Sequence, residues 1–281
     1  MKLARFIGSG RETLGLIRGN EVVDLIAAGL PFNSMHEIIV AGEEGLALVR
    51  AHAGSPAHSL DTVRLLPPIE RPGKYLAIGL NYRAHRGEIK EIDPPSPGQQ
   101  RWFNKQTSCI VGPSDFIEPG VSEQLDYEVE LGVVIGRAAK RVSAGDALDH
   151  VFGYFVANDV SARDWQFHSP TVTMGKSFDT HGPIGPWIVT ADEIPDPQDL
   201  RLRALVNGEI RQEAHTSEMI FGVADQIAYL STAFTLEPGD LIATGTPAGV
   251  GFAMSPPRFL GSGDVVRCEI DGIGAIENRV R

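Results

Sequence analysis

The stretch Leu125–Gly136, LDYEVELGVVIG, sets two carboxylates one residue apart inside what otherwise reads as a strand. Side chains alternate across a strand, so Glu128 and Glu130 share one face while Tyr127, Val129, Leu131, Val133 and Ile135 share the other. A solvated outer face is the ordinary place for acidic residues. The continuation Gly132-Val133-Val134-Ile135, however, is apolar on both faces and suits an interior strand. Two carboxylates side by side and out of water repel, and a divalent cation is a partner that keeps both ionised. Oxygen donors at i and i+2 suit a hard ion such as Mg2+ or Mn2+, which keeps positions open for water or substrate. Asp159, at the end of the apolar run GYFVAND, is the third expected ligand. A turn or helix-capping aspartate is the competing reading for it.

Two further groups carry chemistry. In GLNYRAHRGE, His85 and Glu88 stand three apart, neighbours on one face if the segment coils. The carboxylate then orients the imidazole and raises its basicity, a solvated pair being the alternative. Lys176 lies in GKSFDTHGPIGP, where glycines let backbone approach a ligand closely, although a surface lysine is the commoner case. Other chemistries fail on spacing. MGKSF lacks the Walker glycine because Pro170 stands there, TGTPAGVG lacks the dinucleotide glycine order, and no Gly-x-Ser-x-Gly elbow occurs.

The elements that must position these groups come from a chain of 281 residues, 42% hydrophobic, enough for one large domain or one large and one small. A net charge of -11, with no run of Lys or Arg, argues against nucleic acid or an anionic membrane as partner. No window approaches a membrane span and the start lacks a signal-peptide core, so a cytoplasmic location is expected. Cys109 and Cys268 offer neither metal-ligand spacing nor a disulfide framework and read as small apolar fillers.

Residues 1–70 read as a small α+β accessory domain, with strands in KLARFI, TLGLIRG and EVVDLI and one helix in MHEIIVAGEEGLALVRAHA, weakened by Gly42 and Gly45. PPIERPGK, Pro67 to Lys74, marks the boundary. Residues 71–281 are rich in short strands between Gly, Pro and Asp turns, with a helix expected over Met219–Thr232. The expected fold is mainly β (α+β), a largely antiparallel roll or sandwich. EIDPPSPGQQ, Glu91 to Gln100, is expected as a mobile loop beside the site, and Tyr82 to Gln100 as a hinged flap that closes on ligand.

Taken together and in order, GLNYRAHRGE, LDYEVELGVVIG, GYFVANDVSARDWQ, GKSFDTHGPIGPW and GDLIATGTPAGVG resemble the fumarylacetoacetate hydrolase family, from about Lys74 to Arg281. The resemblance implies that Glu128, Glu130 and Asp159 bind Mg2+ or Mn2+ and that His85 with Glu88 is the catalytic pair. It implies that Lys176 is catalytic and that Gln166, Thr180 and Thr246 contact the substrate. A homodimer acting on a small anionic 2-oxo acid follows from the same resemblance. The expected reaction is hydrolysis of the C3–C4 bond of a 2,4-dioxo acid of the acylpyruvate type, through a metal-bound pyruvate enolate. Decarboxylation of oxaloacetate and isomerisation of a 2-oxo-heptenedioate use the same enolate and stay open. A β domain that binds a divalent ion for structure alone is the distant alternative. Two departures matter: Ala84 stands where relatives of the acylpyruvase pattern often have Asp, and no fourth acidic ligand is evident upstream, which speaks against fumarylacetoacetate itself.

Overall fold

In the computed structural model of the chain, which describes residues 1–89 and 98–281, the glutamate-bearing strand runs Val129–Ile135 and is buried at every position. It is an interior strand: Val151–Asn158 pairs with one edge and Leu241–Ala243 with the other, both antiparallel. Both of its faces are dry. Leu131, Val133 and Ile135 pack with Leu202, Val266 and Ile276, which belong to a second sheet formed by Arg201–Val206, Glu209–His215, Val265–Ile270 and Gly274–Arg279. Val134 packs instead with Phe155 and with Ile38, Ile39 and Val49 of the helix Met35–Ala51. The arrangement is helix on sheet on sheet, and it explains why the strand is apolar on both faces beyond the glutamates.

The fold is mainly β and largely antiparallel, as expected. A parallel step joins Leu241–Ala243 to Tyr75–Gly79, and the strand Arg101–Asn104 follows antiparallel at the end of the sheet. Residues 1–70 keep their own meander, Lys2–Gly8, Arg11–Arg18 and Glu21–Asp24, and their helix. That helix starts where Ser34 accepts the Glu37 N–H at 3.2 Å, and Gly42 breaks it with a φ of 56°. The meander shares a sheet with the rest of the chain, since Lys2–Gly8 pairs antiparallel with Gly182–Thr190.

The later helix runs Val223–Ala233, beginning four residues after the expected Met219. Asn81 captures the intervening backbone: its carbonyl accepts the Ile220 N–H at 2.7 Å, and its side chain accepts the Phe221 N–H at 3.0 Å. Among the described residues no helix is long and apolar enough to cross a membrane. Both cysteines are free and buried, as expected of fillers.

Candidate active site

Register brings the carboxylates together. Val129 pairs with Asn158, so Glu128 lies opposite Asp159, whose N–H donates to the Glu128 carbonyl at 2.8 Å. Residues opposite one another project to the same face, and Glu130 projects there two residues on. One oxygen of each of Glu128, Glu130 and Asp159 falls within 4.8 Å of the others, and all three residues are buried.

Three buried cations surround them. The Lys176 ammonium donates to Glu128 at 2.7 Å and to Asp159 at 2.9 Å. Lys105 donates to the other Asp159 oxygen at 2.5 Å and to the carbonyls of Lys176 and His181, which ties the loop after residue 176 to the end of the strand Arg101–Asn104. Arg163 lies 2.7 Å from Glu128 and 2.9 Å from Asp126, and its third nitrogen donates to Gln166 at 3.0 Å. Asp126 is itself fully buried and accepts the backbone N–H groups of Gly251 and Phe252. Sequence reasoning missed Asp126, Arg163 and Lys105. A signal existed for Asp126, which precedes Glu128 by two and falls on the same strand face by alternation.

The fit to a divalent cation rests on Glu130. Asp126, Glu128 and Asp159 are balanced by Lys105, Arg163 and Lys176. Glu130 has one donor among the described residues, the Gly245 N–H at 2.8 Å. Burial, then the negative charges of Asp159 and Glu128, push its carboxyl well above the usual range. Glu128 goes the other way. Burial is the largest single influence and raises it, but Lys176 and then Arg163 outweigh that and hold it down at about 2. A carboxyl that no protein cation balances, beside two ionised carboxylates that share its face, completes a donor set that a hard divalent ion would ionise and fill. Gly245 is required here: its φ is 97°, and a Cβ on it would lie 2.7 Å from the Asn81 Cβ.

Glu128 and Glu130, with Arg163 and Lys176, line a cavity of about 530 Å³, within the range of small-molecule sites. His85 lines it, 4% exposed, on the short helix Arg83–Glu88. The expected coil therefore forms. His85 Nδ1 lies 2.7 Å from Glu88, and the Glu88 carboxylate accepts the Gly249 N–H at 3.0 and 3.2 Å. Gly249, with a φ of 104°, comes so close to the Arg211 carbonyl that no Cβ fits. His85 is thus held with Nε2 as its remaining nitrogen. Residues 90–97, the proline-rich part of the expected flap and most of the expected mobile loop, lie outside the described residues.

Gln166, Lys176 and Thr246 also line the cavity. Gln166 spends its carbonyl on Arg163, which leaves its amide N–H groups as donors. The Thr246 hydroxyl donates to the Val129 carbonyl and accepts from Gln212, so it offers a lone pair rather than its proton. Thr180 stands apart. It does not line the cavity, and its hydroxyl accepts the Glu118 N–H at 2.8 Å in a turn where its own φ is 71°. Its placement is that of a loop tie rather than a substrate contact.

Residues 74–281 match the family described as fumarylacetoacetate (FAA) hydrolase, C-terminal. The chain is 44% identical over 291 residues to a mitochondrial oxaloacetate tautomerase of Xenopus laevis, covering 100% of this chain and 90% of that protein. Among solved structures, it is similar to a fumarylacetoacetate hydrolase from psychrophilic Exiguobacterium antarcticum, with a TM-score of 0.89, 41% identity and coverage of 100% and 99%. It is also similar to the maleylpyruvate hydrolase of Sphingobium sp. SYK-6 in complex with manganese(II) ion and pyruvate, with a TM-score of 0.82, 34% identity and coverage of 100% and 98%.

Proposed function

The chain belongs to the fumarylacetoacetate hydrolase family, and from that premise we propose that it is a divalent-cation-dependent enzyme that enolises a 2-oxo acid. The observation that carries this reading is a buried imidazole, fixed by Glu88 and sharing one cavity with Glu128 and Glu130. When bound, Mg2+ or Mn2+ held by Glu128, Glu130 and Asp159 supplies a Lewis acid that fixes the 2-oxo carboxylate and stabilises the negative charge of its enolate. His85 Nε2 takes the proton from C3 of the substrate. The C–H electron pair becomes the C2–C3 double bond, and the proton returns to oxygen or carbon. Glu88 keeps Nδ1 protonated and stabilises the imidazolium that forms. Lys176 adds positive charge, and Gln166 donates to a substrate oxygen. Tautomerisation is the reaction class put first, because the tautomerase relative is 44% identical to this chain and the maleylpyruvate hydrolase 34%, each over the whole chain.

Hydrolysis of a 2,4-dioxo acid is the second reading, favoured by the likeness to a maleylpyruvate hydrolase whose structure contains manganese and pyruvate. There His85 takes the proton from a water that attacks C4. The C3–C4 bond breaks, its electron pair becomes the pyruvate enolate, and protonation at C3 completes the step. The test is ¹H NMR in D2O with Mg2+ or Mn2+. Enzyme-dependent deuterium incorporation at C3 of pyruvate and oxaloacetate is expected. Release of pyruvate from 2,4-dioxo acids adds hydrolysis, and no exchange in any 2-oxo acid overturns the proposal. A homodimer and a cytoplasmic location remain part of it. Light scattering at micromolar concentration checks the former, a species of 30.3 kDa alone being the contrary result.

A further inference from the structure

The support of the His85 imidazole leads out of the cavity to a residue that the proposed chemistry does not use. Besides His85, Glu88 has one donor among the described residues, the Gly249 N–H. Glu88 is also the last residue of its helix, so the loop around Gly249 is what holds its carboxylate from the far side. Both flanks of that loop are anchored: Gln212 donates to the Pro247 carbonyl at 2.8 Å, and Asp126 accepts the Gly251 and Phe252 N–H groups at 2.8 and 3.0 Å. Between the flanks, the Tyr127 hydroxyl donates to the Gly249 carbonyl at 2.9 Å. Among the described residues no other donor reaches that carbonyl.

Tyr127 lies on the strand face opposite the carboxylates. It is fully buried with Val129, Leu131 and Leu260 in the core between the two sheets, and it does not line the cavity. A phenylalanine would fill the same space, so what the tyrosine adds is the contact its hydroxyl makes. The carbonyl that Tyr127 binds and the N–H that Glu88 binds belong to two successive peptide groups, joined at the Gly249 Cα with a φ of 104°. Glycine by itself restricts the rotation between two such groups least of all residues. A hold on the carbonyl therefore keeps the N–H aimed at Glu88. The contacts run Tyr127 to Gly249, Gly249 to Glu88 and Glu88 to His85. They start from the residue directly before Glu128, so one segment of chain bears the carboxylates and braces the imidazole.

Resting on the proposed enolisation, we infer that Tyr127 is a positioning residue, which through the Gly249 backbone holds Glu88, and with it the His85 imidazole, in the orientation that takes the proton. Tyr127→Phe removes one oxygen and leaves the Gln212 and Asp126 anchors of the loop in place. C3 deuterium exchange of pyruvate with Mn2+, at a temperature where circular dichroism shows both proteins folded, should show kcat lowered about three- to tenfold, the scale of one neutral hydrogen bond. KM and the calorimetric Mn2+ affinity should stay within about twofold, because the residue touches neither substrate nor ion. In a Glu88→Ala background the same substitution should change kcat by less than about twofold, since no carboxylate is left to place. The Nδ1–H proton of His85, identified in the ¹H NMR spectrum by its loss in His85→Ala, should shift in Tyr127→Phe. An unchanged kcat, the same factor lost with and without Glu88, or a loss confined to KM overturns the inference. If the wild type exchanges no 2-oxo acid, the proposed enolisation fails. The His85 resonance then decides the role of Tyr127 by itself, an unmoved signal counting against it.

Discussion

The floor of the cavity and its rim are built by opposite means. Glu128, Glu130 and Asp159 stand at the ends of hydrogen-bonded interior strands, where register fixes their spacing and burial forces each charge to find a partner. His85 belongs to a six-residue helix, held by a few polar contacts such as Glu88 to Gly249. The difference teaches where ion binding and proton transfer reside. In the proposed function a rigid floor holds the ion and the substrate carboxylate, and a locally held rim moves the proton.

The comparison predicts separable losses. Glu130→Ala should abolish high-affinity Mn2+ binding by calorimetry and lower turnover by about 10³-fold or more, since the Lewis acid supplies several kcal/mol. His85→Ala should lower kcat by about 10²- to 10⁴-fold, the scale of a general base, while leaving Mn2+ affinity nearly unchanged. A His85 variant that also loses the metal would erase the division between floor and rim. Glu88→Gln should cost less, on the order of tenfold in kcat, with a shifted pH profile, because a neutral amide still holds the ring but stabilises the imidazolium poorly.

Stability sharpens the same contrast. Arg163→Met leaves Asp126 and Glu128 without their shared cation and should cost about 3–5 kcal/mol in denaturant unfolding. Acid acts on the floor too. The folded carboxyl of Glu128 is held at about 2, below its ordinary value of 4.5. Its ionisation therefore contributes stability that is fully present above the ordinary value and lost as pH falls through about 2. Unfolding midpoints measured on either side of that window should show the loss, and Glu128→Gln should flatten it.

The floor was legible in the sequence because strand alternation is local: Glu128 and Glu130 fall on one face whatever the tertiary fold, and an apolar run followed by Asp159 marks the end of a neighbouring strand. Its counter-charges were not. Lys105 reaches Asp159 through the pairing of Leu76 with Asn104, a long-range register that no periodicity announces. Arg163 sits in a short helical turn, Arg163–Gln166, too brief to leave a repeat. Thr180 was placed by its motif neighbours, yet its positive φ turns the hydroxyl to Glu118. The proline-rich break after residue 66 marked a change in local pattern, but local signals say nothing of a strand such as Lys2–Gly8 pairing with Gly182–Thr190.

The central claim is that Glu130 is a carboxylate awaiting a cation. Its folded pKa is raised, so metal-free it contributes stability below the ordinary carboxylate range that is lost as pH rises. Thermal unfolding of the wild type and Glu130→Gln at neutral pH, with chelator and with Mn2+, tests this directly. The account predicts a crossing: with chelator the Gln variant melts above the wild type, and with Mn2+ the wild type gains and melts above the variant. A wild type that is the more stable with chelator, or a variant that gains from Mn2+ as much as the wild type does, would contradict it.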